Sequence, residues 1–197
     1  MNNQLFNAVY YNNLLNVQQL VLNGVDVNCR DNYGVLLLFR ADTLEIVQFL
    51  VWNGADVNCR CNNGSTLLHY VRSLEIAQFL VLNGVDVNCQ NNDGSTPLYY
   101  VNCVITKFLV VNGADVNHQN NCGNTPLHAC ATIHNYYGCI KNIKILLEYG
   151  ADMHIKNNVG ISAYDCAIQS NINELIELFE HYNAISNGLE IKEPCVE

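Results

Sequence analysis

Apolar and polar positions in this chain follow a short programme that recurs along almost its whole length. In Leu74-Glu75-Ile76-Ala77-Gln78-Phe79-Leu80, the residues Ile76, Ala77, Phe79 and Leu80 form a stripe at helical spacing, with Glu75 and Gln78 outside it. Gly84 stands just past the end of this helix, where a left-handed cap residue is needed. Val85-Asp86-Val87-Asn88 then runs extended into the polar reversal Asn91-Asn92-Asp93-Gly94. Ser95-Thr96-Pro97-Leu98 reads as a helix start, with Thr96 at the N-cap and Pro97 at the first helical position. Thr125-Pro126 repeats that signal, and Thr66-Leu67 keeps the cap without the proline. The predicted unit is a hairpin followed by two antiparallel helices.

The programme repeats in a fixed frame. Ten of the twelve glycines form five pairs, each ten residues apart: Gly24/Gly34, Gly54/Gly64, Gly84/Gly94, Gly113/Gly123 and Gly150/Gly160. Around the first of each pair the text is NGVDVN, NGADVN, NGVDVN, NGADVN and YGADMH. Such a unit cannot bury its own apolar stripe, so it stacks on its neighbours and the ends need polar outer faces. Leu5, Phe6, Ala8 and Val9 supply an inner face at one end, with Asn2, Asn3, Asn7, Asn12 and Asn13 outward. At the other end Leu175, Ile176, Leu178 and Phe179 face in, while Glu174, Glu177 and Glu180 recur at threefold spacing.

The order Gly123-Asn124-Thr125-Pro126-Leu127-His128-Ala129, followed by an Ile/Leu-rich helix and Gly150-Ala151-Asp152, resembles the ankyrin repeat. The resemblance implies an all-α helical repeat stack with short β-hairpin loops. It covers residues 1–183: an N-terminal cap at 2–30, repeats at 31–60, 61–90, 91–119 and 120–156, and a C-terminal cap at 157–183. Residues 184–197 are expected to form an acidic flexible tail. First glycines are 30, 30, 29 and 37 residues apart, against a family period of about 33. The glycine pairs keep their spacing, so length varies only in the helical part. The second to fourth repeats have lost the helix–helix loop or a turn of the first helix, since three or four residues make about one turn. The fifth gains a turn or a loop at Ile133-His134-Asn135-Tyr136-Tyr137-Gly138. The second repeat has Val35-Leu36-Leu37-Leu38-Phe39 in place of the helix-start text and is expected to be the least regular.

Composition narrows the function classes. Net charge is -9, and from Glu174 onward six Glu and one Lys contribute -5 of it. No Lys/Arg cluster occurs, which argues against nucleic acid or an anionic membrane as partner. No apolar run approaches a membrane span, and the first residues lack a secretory signal pattern. A cytoplasmic location is expected, the host cytoplasm if the protein is exported or viral. The ten cysteines are then expected to be free thiols. Cys29, Cys59 and Cys89 recur at one register with His118 continuing the column, and Cys61 adds a Cys-x-Cys. Equivalent positions in stacked repeats lie about 10 Å apart, too far to share one tetrahedral ion. No metal or other cofactor is expected. His69 and His128 fill a slot for which the resemblance implies a hydrogen bond back to the helix start. No histidine is paired in sequence with a nucleophile and an orienting carboxylate, so no catalytic residue is assigned and no enzyme is expected.

The resemblance implies a concave face, made of hairpin tips and first helices, that binds a protein partner. By register the tips present Arg30, Asn32 and Tyr33; Arg60, Asn62 and Asn63; Gln90, Asn92 and Asp93; Gln119 and Asn121; and Lys156 and Asn158. Behind them the first helices offer Arg40, Tyr70, Arg72, Tyr99 and Tyr100, residue types enriched at binding hot spots. The expected function is a monomeric, non-catalytic protein-interaction scaffold. The short, Asn-rich repeats resemble those of intracellular bacteria and large DNA viruses, implying a host-directed role. The alternative is a small metal- or redox-responsive protein using the hairpin cysteines.

Overall fold

The architecture is that of a computed structural model, which describes residues 2–132 and 136–187, without the side chains of 136–139. Its contacts divide into two compact units, Met1–Ala114 and Asp115–Glu197. Among the described residues there is no strand; the hairpins carry only the isolated bridges Arg30–Leu36 and Lys156–Ser162.

In the first unit, α1 (Asn2–Tyr10) packs on α2 (Leu14–Leu22). The turn between them places Asn12 at φ +52°, a left-handed conformation that asparagine tolerates better than most residues. Each later repeat contributes one nine-residue helix: α3 (Leu44–Trp52), α4 (Leu74–Leu82) and α5 (Cys103–Val111). Helices α2 to α5 pack each on the next through fully buried residues such as Val17, Val47, Leu50, Ala77, Leu80, Ile105 and Leu109. Side-chain N-caps start α4 and α5: the Ser73 hydroxyl accepts from the Ile76 amide at 3.3 Å, and Asn102 Oδ1 accepts from Val104 and Ile105.

The partner helix in these three repeats is a single 3-10 turn, at Leu37–Arg40, Leu67–His69 and Pro97–Tyr99. Bonds from residue i to i+3, such as Tyr70 N to the Leu67 carbonyl at 2.9 Å, close each turn before an α-helical bond can form. The residues missing from the sequence are therefore missing from the first helix. The second repeat, expected to be the least regular, differs from the other two: its turn is the longest of the three, and Leu36, Leu37 and Leu38 are buried. Three consecutive leucines anchor the turn where the other two repeats have Thr66-Leu67-Leu68 and Thr96-Pro97-Leu98.

The second unit restores full length. Helix α6 (Pro126–Thr132) packs on α7 (Tyr136–Glu148) and on α8 (Ala163–Gln169), and α8 packs on α9 (Asn173–Ser186). Seven residues in α6 and thirteen in α7 account for part of the gain in the fifth repeat. Residues 133–135 of the expected insertion lie outside the described residues, as do 188–197 of the expected tail. Positions 184–186 are the end of α9. At both ends the inward residues are as expected: Leu5, Phe6, Ala8, Val9, Leu175 and Phe179 are buried, with Ile176 and Leu178 half-buried.

Candidate functional site

The hairpin edge is built by polar side chains that repeat with the glycines. Asp26 Oδ1 accepts from the Asn28 amide at 2.8 Å and so turns the chain. The Asn28 side chain then reaches into the next repeat, donating to the Gly54 carbonyl at 2.9 Å and accepting from Asp56 N at 3.2 Å. Asn88 donates likewise to Gly113 O at 3.0 Å. In the second unit Asn117 donates to Gly150 O at 3.0 Å and accepts from Asp152 N at 2.8 Å. His154 stands at the same register in the last hairpin, its Nε2 3.0 Å from Asn183 Oδ1.

The tips use a second set of bonds. Asp31 Oδ1 accepts from the amides of Tyr33 and Val35, and Asn91, Asn120 and Asn157 do the same in their own hairpins. Cys61 occupies this position in the third repeat and lacks the side-chain oxygen. Asn63 substitutes for it, accepting from Ser65 N at 3.1 Å and from the Cys61 thiol at 2.7 Å. Several candidate binding residues are engaged in this frame. Arg30 donates to Gly34 O at 2.7 Å. Arg60 donates at 2.6 Å both to Gly64 O and to Gln90 O of the next repeat. Gln119 makes the corresponding pair of bonds to Gly123 O and Lys156 O. Asn92 donates to Asn62 O, and Asn158 to Asn121 O, each joining adjacent repeats. Arg40 pairs with Asp31 at 2.7 Å, and this contact holds the Asp31 carboxyl below its ordinary range.

Exposure separates the candidates further. Arg30, Asn32, Tyr33, Arg40, Arg60, Asn62, Asn63, Tyr70, Arg72, Gln90, Asn92, Asp93, Tyr100, Gln119, Asn121, Lys156 and Asn158 are exposed. Tyr33 is 82% exposed, Tyr70 46% and Tyr100 51%. The Tyr70 hydroxyl accepts from Asn63 Nδ2 at 2.9 Å and the Tyr100 hydroxyl from Asn91 Nδ2 at 3.2 Å, so both rings are held. Tyr99 is a correction: it is only 7% exposed and offers a partner almost nothing. It is the third residue after the cap, the slot that histidine fills elsewhere, and that slot points into the repeat. There His69 Nδ1 accepts from Thr66 N at 3.2 Å and its Nε2 lies 3.2 Å from Ser95 O. His128 repeats this with Thr125 N at 3.1 Å and Ile161 O at 3.0 Å. Without a histidine, the buried Thr96 hydroxyl has no hydrogen-bond partner.

The cysteine column lies inside the hairpins. Cys29 and Cys89 are buried, Cys59 is half-buried, and the Cys89 sulfur lies 3.3 Å from the Thr66 hydroxyl of its own repeat. Burial, with Asp56 adding to it, pushes the Cys59 thiol up to about 11. Burial also raises Cys29 and Cys89, so all three favour the protonated thiol over the nucleophilic, metal-binding thiolate. Among the described residues no three His, Cys, Asp or Glu side chains come together to hold a metal ion. No helix among them is long and apolar enough to cross a membrane.

The sequence reading passed over a row on the opposite, second-helix side of the first unit. Leu22, Trp52, Leu82 and Val111, each two residues before the first glycine of a pair, are 78%, 71%, 85% and 64% exposed. The signal was present in the invariant offset from glycine, but apolar residues at helix ends were read only for what they bury.

A family model described as ankyrin repeats (3 copies) matches residues 5–71, 36–102, 71–157 and 101–188. Among solved structures, an ankyrin repeat domain from Acinetobacter baumannii is similar, with a TM-score of 0.72 and 23% identity over 91% of this chain and 97% of that one. No curated protein sequence matches the chain. The helix pairs, the glycine-framed hairpins and a family match running from residue 5 to residue 188 agree, and the chain belongs to the ankyrin repeat family.

Proposed function

We propose that this protein is a non-catalytic scaffold that binds a partner protein on the hairpin and first-helix face, using chiefly the first unit. Ankyrin repeats generally mediate protein–protein interaction, and the family is generally non-catalytic. The observation that carries the assignment is the set of exposed tyrosines: Tyr33 at a tip, with Tyr70 and Tyr100 behind the next two. Tyrosine offers a large amphipathic contact, and rings already held by Asn63 and Asn91 lose little freedom on binding. Arg30, Arg60, Gln90, Asn92, Gln119, Asn121, Lys156 and Asn158 then serve mainly as the frame that spaces the contacts. Arg72, Asn32, Asn62 and Asp93 complete the contact surface.

The short repeats support a host-directed role, with the protein acting as a monomer in the host cytoplasm. Capture from eukaryotic and bacterial lysates tests both levels. Wild-type protein is compared with a Tyr33→Ala, Asp93→Ala, Tyr100→Ala variant at three exposed positions; because Tyr100 meets the buried Asn91 and His69, circular dichroism first checks that the variant keeps its fold. At least one eukaryotic protein is expected to fall by about tenfold in the variant, the loss of roughly one hot-spot residue. Equal capture by both proteins overturns the assignment of the face, and selective capture of bacterial proteins overturns the host-directed part.

A further inference from the structure

Shortening the first helices leaves a notch. Between the turns Leu37–Arg40 and Leu67–His69 lies a cavity of about 540 Å³, where a further turn of first helix would otherwise run. Its floor includes Ala41 and Ile76, each 4% exposed, and its walls include the rings of Phe39 and Tyr70, whose centroids are 6.1 Å apart. Arg72 and Asp42 also line it. Both are exposed, and neither forms an ion pair with the other or with any described residue. The nearby Glu75 carboxylate is taken by the Ser73 hydroxyl at 2.6 Å. The frame around these groups is fixed: Asn63 holds the Tyr70 hydroxyl, and Asn102 Nδ2 donates to the Arg72 carbonyl at 3.1 Å.

An apolar notch with one unpaired cation and one unpaired anion on its rim is complementary to a mixed-charge peptide with an apolar anchor. We propose that this notch takes an apolar side chain of a partner peptide, flanked by a carboxylate that meets Arg72 and a cationic side chain that meets Asp42. The volume is of the size that encloses small ligands and side-chain anchors. The guanidinium fork can bind a carboxylate through two parallel bonds. The opposed rim charges set the direction of the peptide. The inference rests on the reading of the first unit's hairpin and first-helix face as the binding face.

The test uses labelled peptides in which a central Leu, Phe or Trp is flanked on each side by Glu, Lys or Gly, with binding read by fluorescence anisotropy on the full chain. One order of Glu and Lys is expected to bind at least about tenfold more tightly than the reversed order and than Gly flanks. In Arg72→Glu the preference for Glu at one flank should change to Lys. Ala41→Trp, which fills the floor, should weaken every peptide. Should Ala41→Trp fail to fold, judged by circular dichroism, the surface change Arg72→Glu decides alone. Absence of binding, absence of a charge-order preference, or an unchanged preference in Arg72→Glu overturns the proposal. Dimerisation of the wild type that Ala41→Trp abolishes also overturns it, by giving the notch to a second copy. If Arg72→Glu and Ala41→Trp capture lysate proteins fully while the Tyr33/Asp93/Tyr100 variant does not, the face remains the binding face and only the notch is refuted.

Discussion

His69 ties two repeats together with one ring. Its Nδ1 accepts from its own helix start, so the proton is on Nε2, which donates to the Ser95 carbonyl of the next repeat. The first bond was expected from the sequence because the family resemblance implies it for the slot that His69 fills. The second was not, because its acceptor is 26 residues away and depends on how the repeats stack. Tyr99 shows the same limit: its identity suggested a contact residue, but only the turn geometry shows that its slot faces inward. Burial lowers the His69 pKa, with the hydrogen bonds to Ser95 and Thr66 opposing it. The folded state thus prefers the neutral ring, and the unfolded chain takes up a proton first, near about pH 6.5. Stability from this group is complete above that pH and declines as pH falls towards the folded value. Thermal melts from about pH 7.5 to about pH 5 should show a steeper loss for wild type than for His69→Gln. At neutral pH the variant should itself be less stable by about 1–3 kcal/mol. Parallel pH profiles would remove the linkage.

At the level of the element, the spacing of glycines and helix-start residues fixed how much chain each repeat has lost but not which bonds the remainder makes. A closing bond to i+3 or to i+4 depends on where the turn is pulled by the buried Leu38, Leu68 and Leu98, and spacing does not encode that. The second repeat illustrates this, since an unfamiliar text, Leu36-Leu37-Leu38, still closes a 3-10 turn with all three leucines buried. Hairpin glycines differ in a way equally hidden from sequence. A Cβ at Gly54 meets nothing within 4 Å, whereas at Gly64 it would lie 2.9 Å from the Asn92 amide nitrogen. That amide donates to Asn63 O at 2.9 Å, a backbone link between repeats. Both glycines have positive φ. Gly54→Ala should therefore cost about 1–2 kcal/mol from the left-handed conformation alone. Gly64→Ala should cost at least about 1 kcal/mol more, because it also displaces that link. Chemical denaturation of the two variants measures the difference, and equal costs would mean that the inter-repeat contact carries no stability.

At the scale of the whole molecule, the first unit has two unlike faces. One carries hairpins, arginines and tyrosines; the other carries Leu22, Trp52, Leu82 and Val111 exposed in register. These side chains have little left to contribute to the fold, so Leu82→Gln and Val111→Gln should change unfolding free energy by no more than about 0.5 kcal/mol while raising solubility. A loss well beyond that in a denaturant titration would show the row to be covered in the native protein. The family and the inward face of both caps were legible because they depend on local pattern. The division of labour among the exposed residues was not, because frame and contact residues share the same chemistry. The asparagine bridges give the array a direction of growth. Asn28, Asn88 and Asn117 each donate forward to a glycine carbonyl that only another repeat can supply, so the repeats that carry them are left open for extension. His154 closes the series by meeting a side chain, Asn183, instead of a main-chain carbonyl. In evolutionary terms it is a stop signal: duplicating a repeat that carries Asn28, Asn88 or Asn117 preserves the pairing rule, while a repeat copied after His154 would find that side chain already engaged with Asn183.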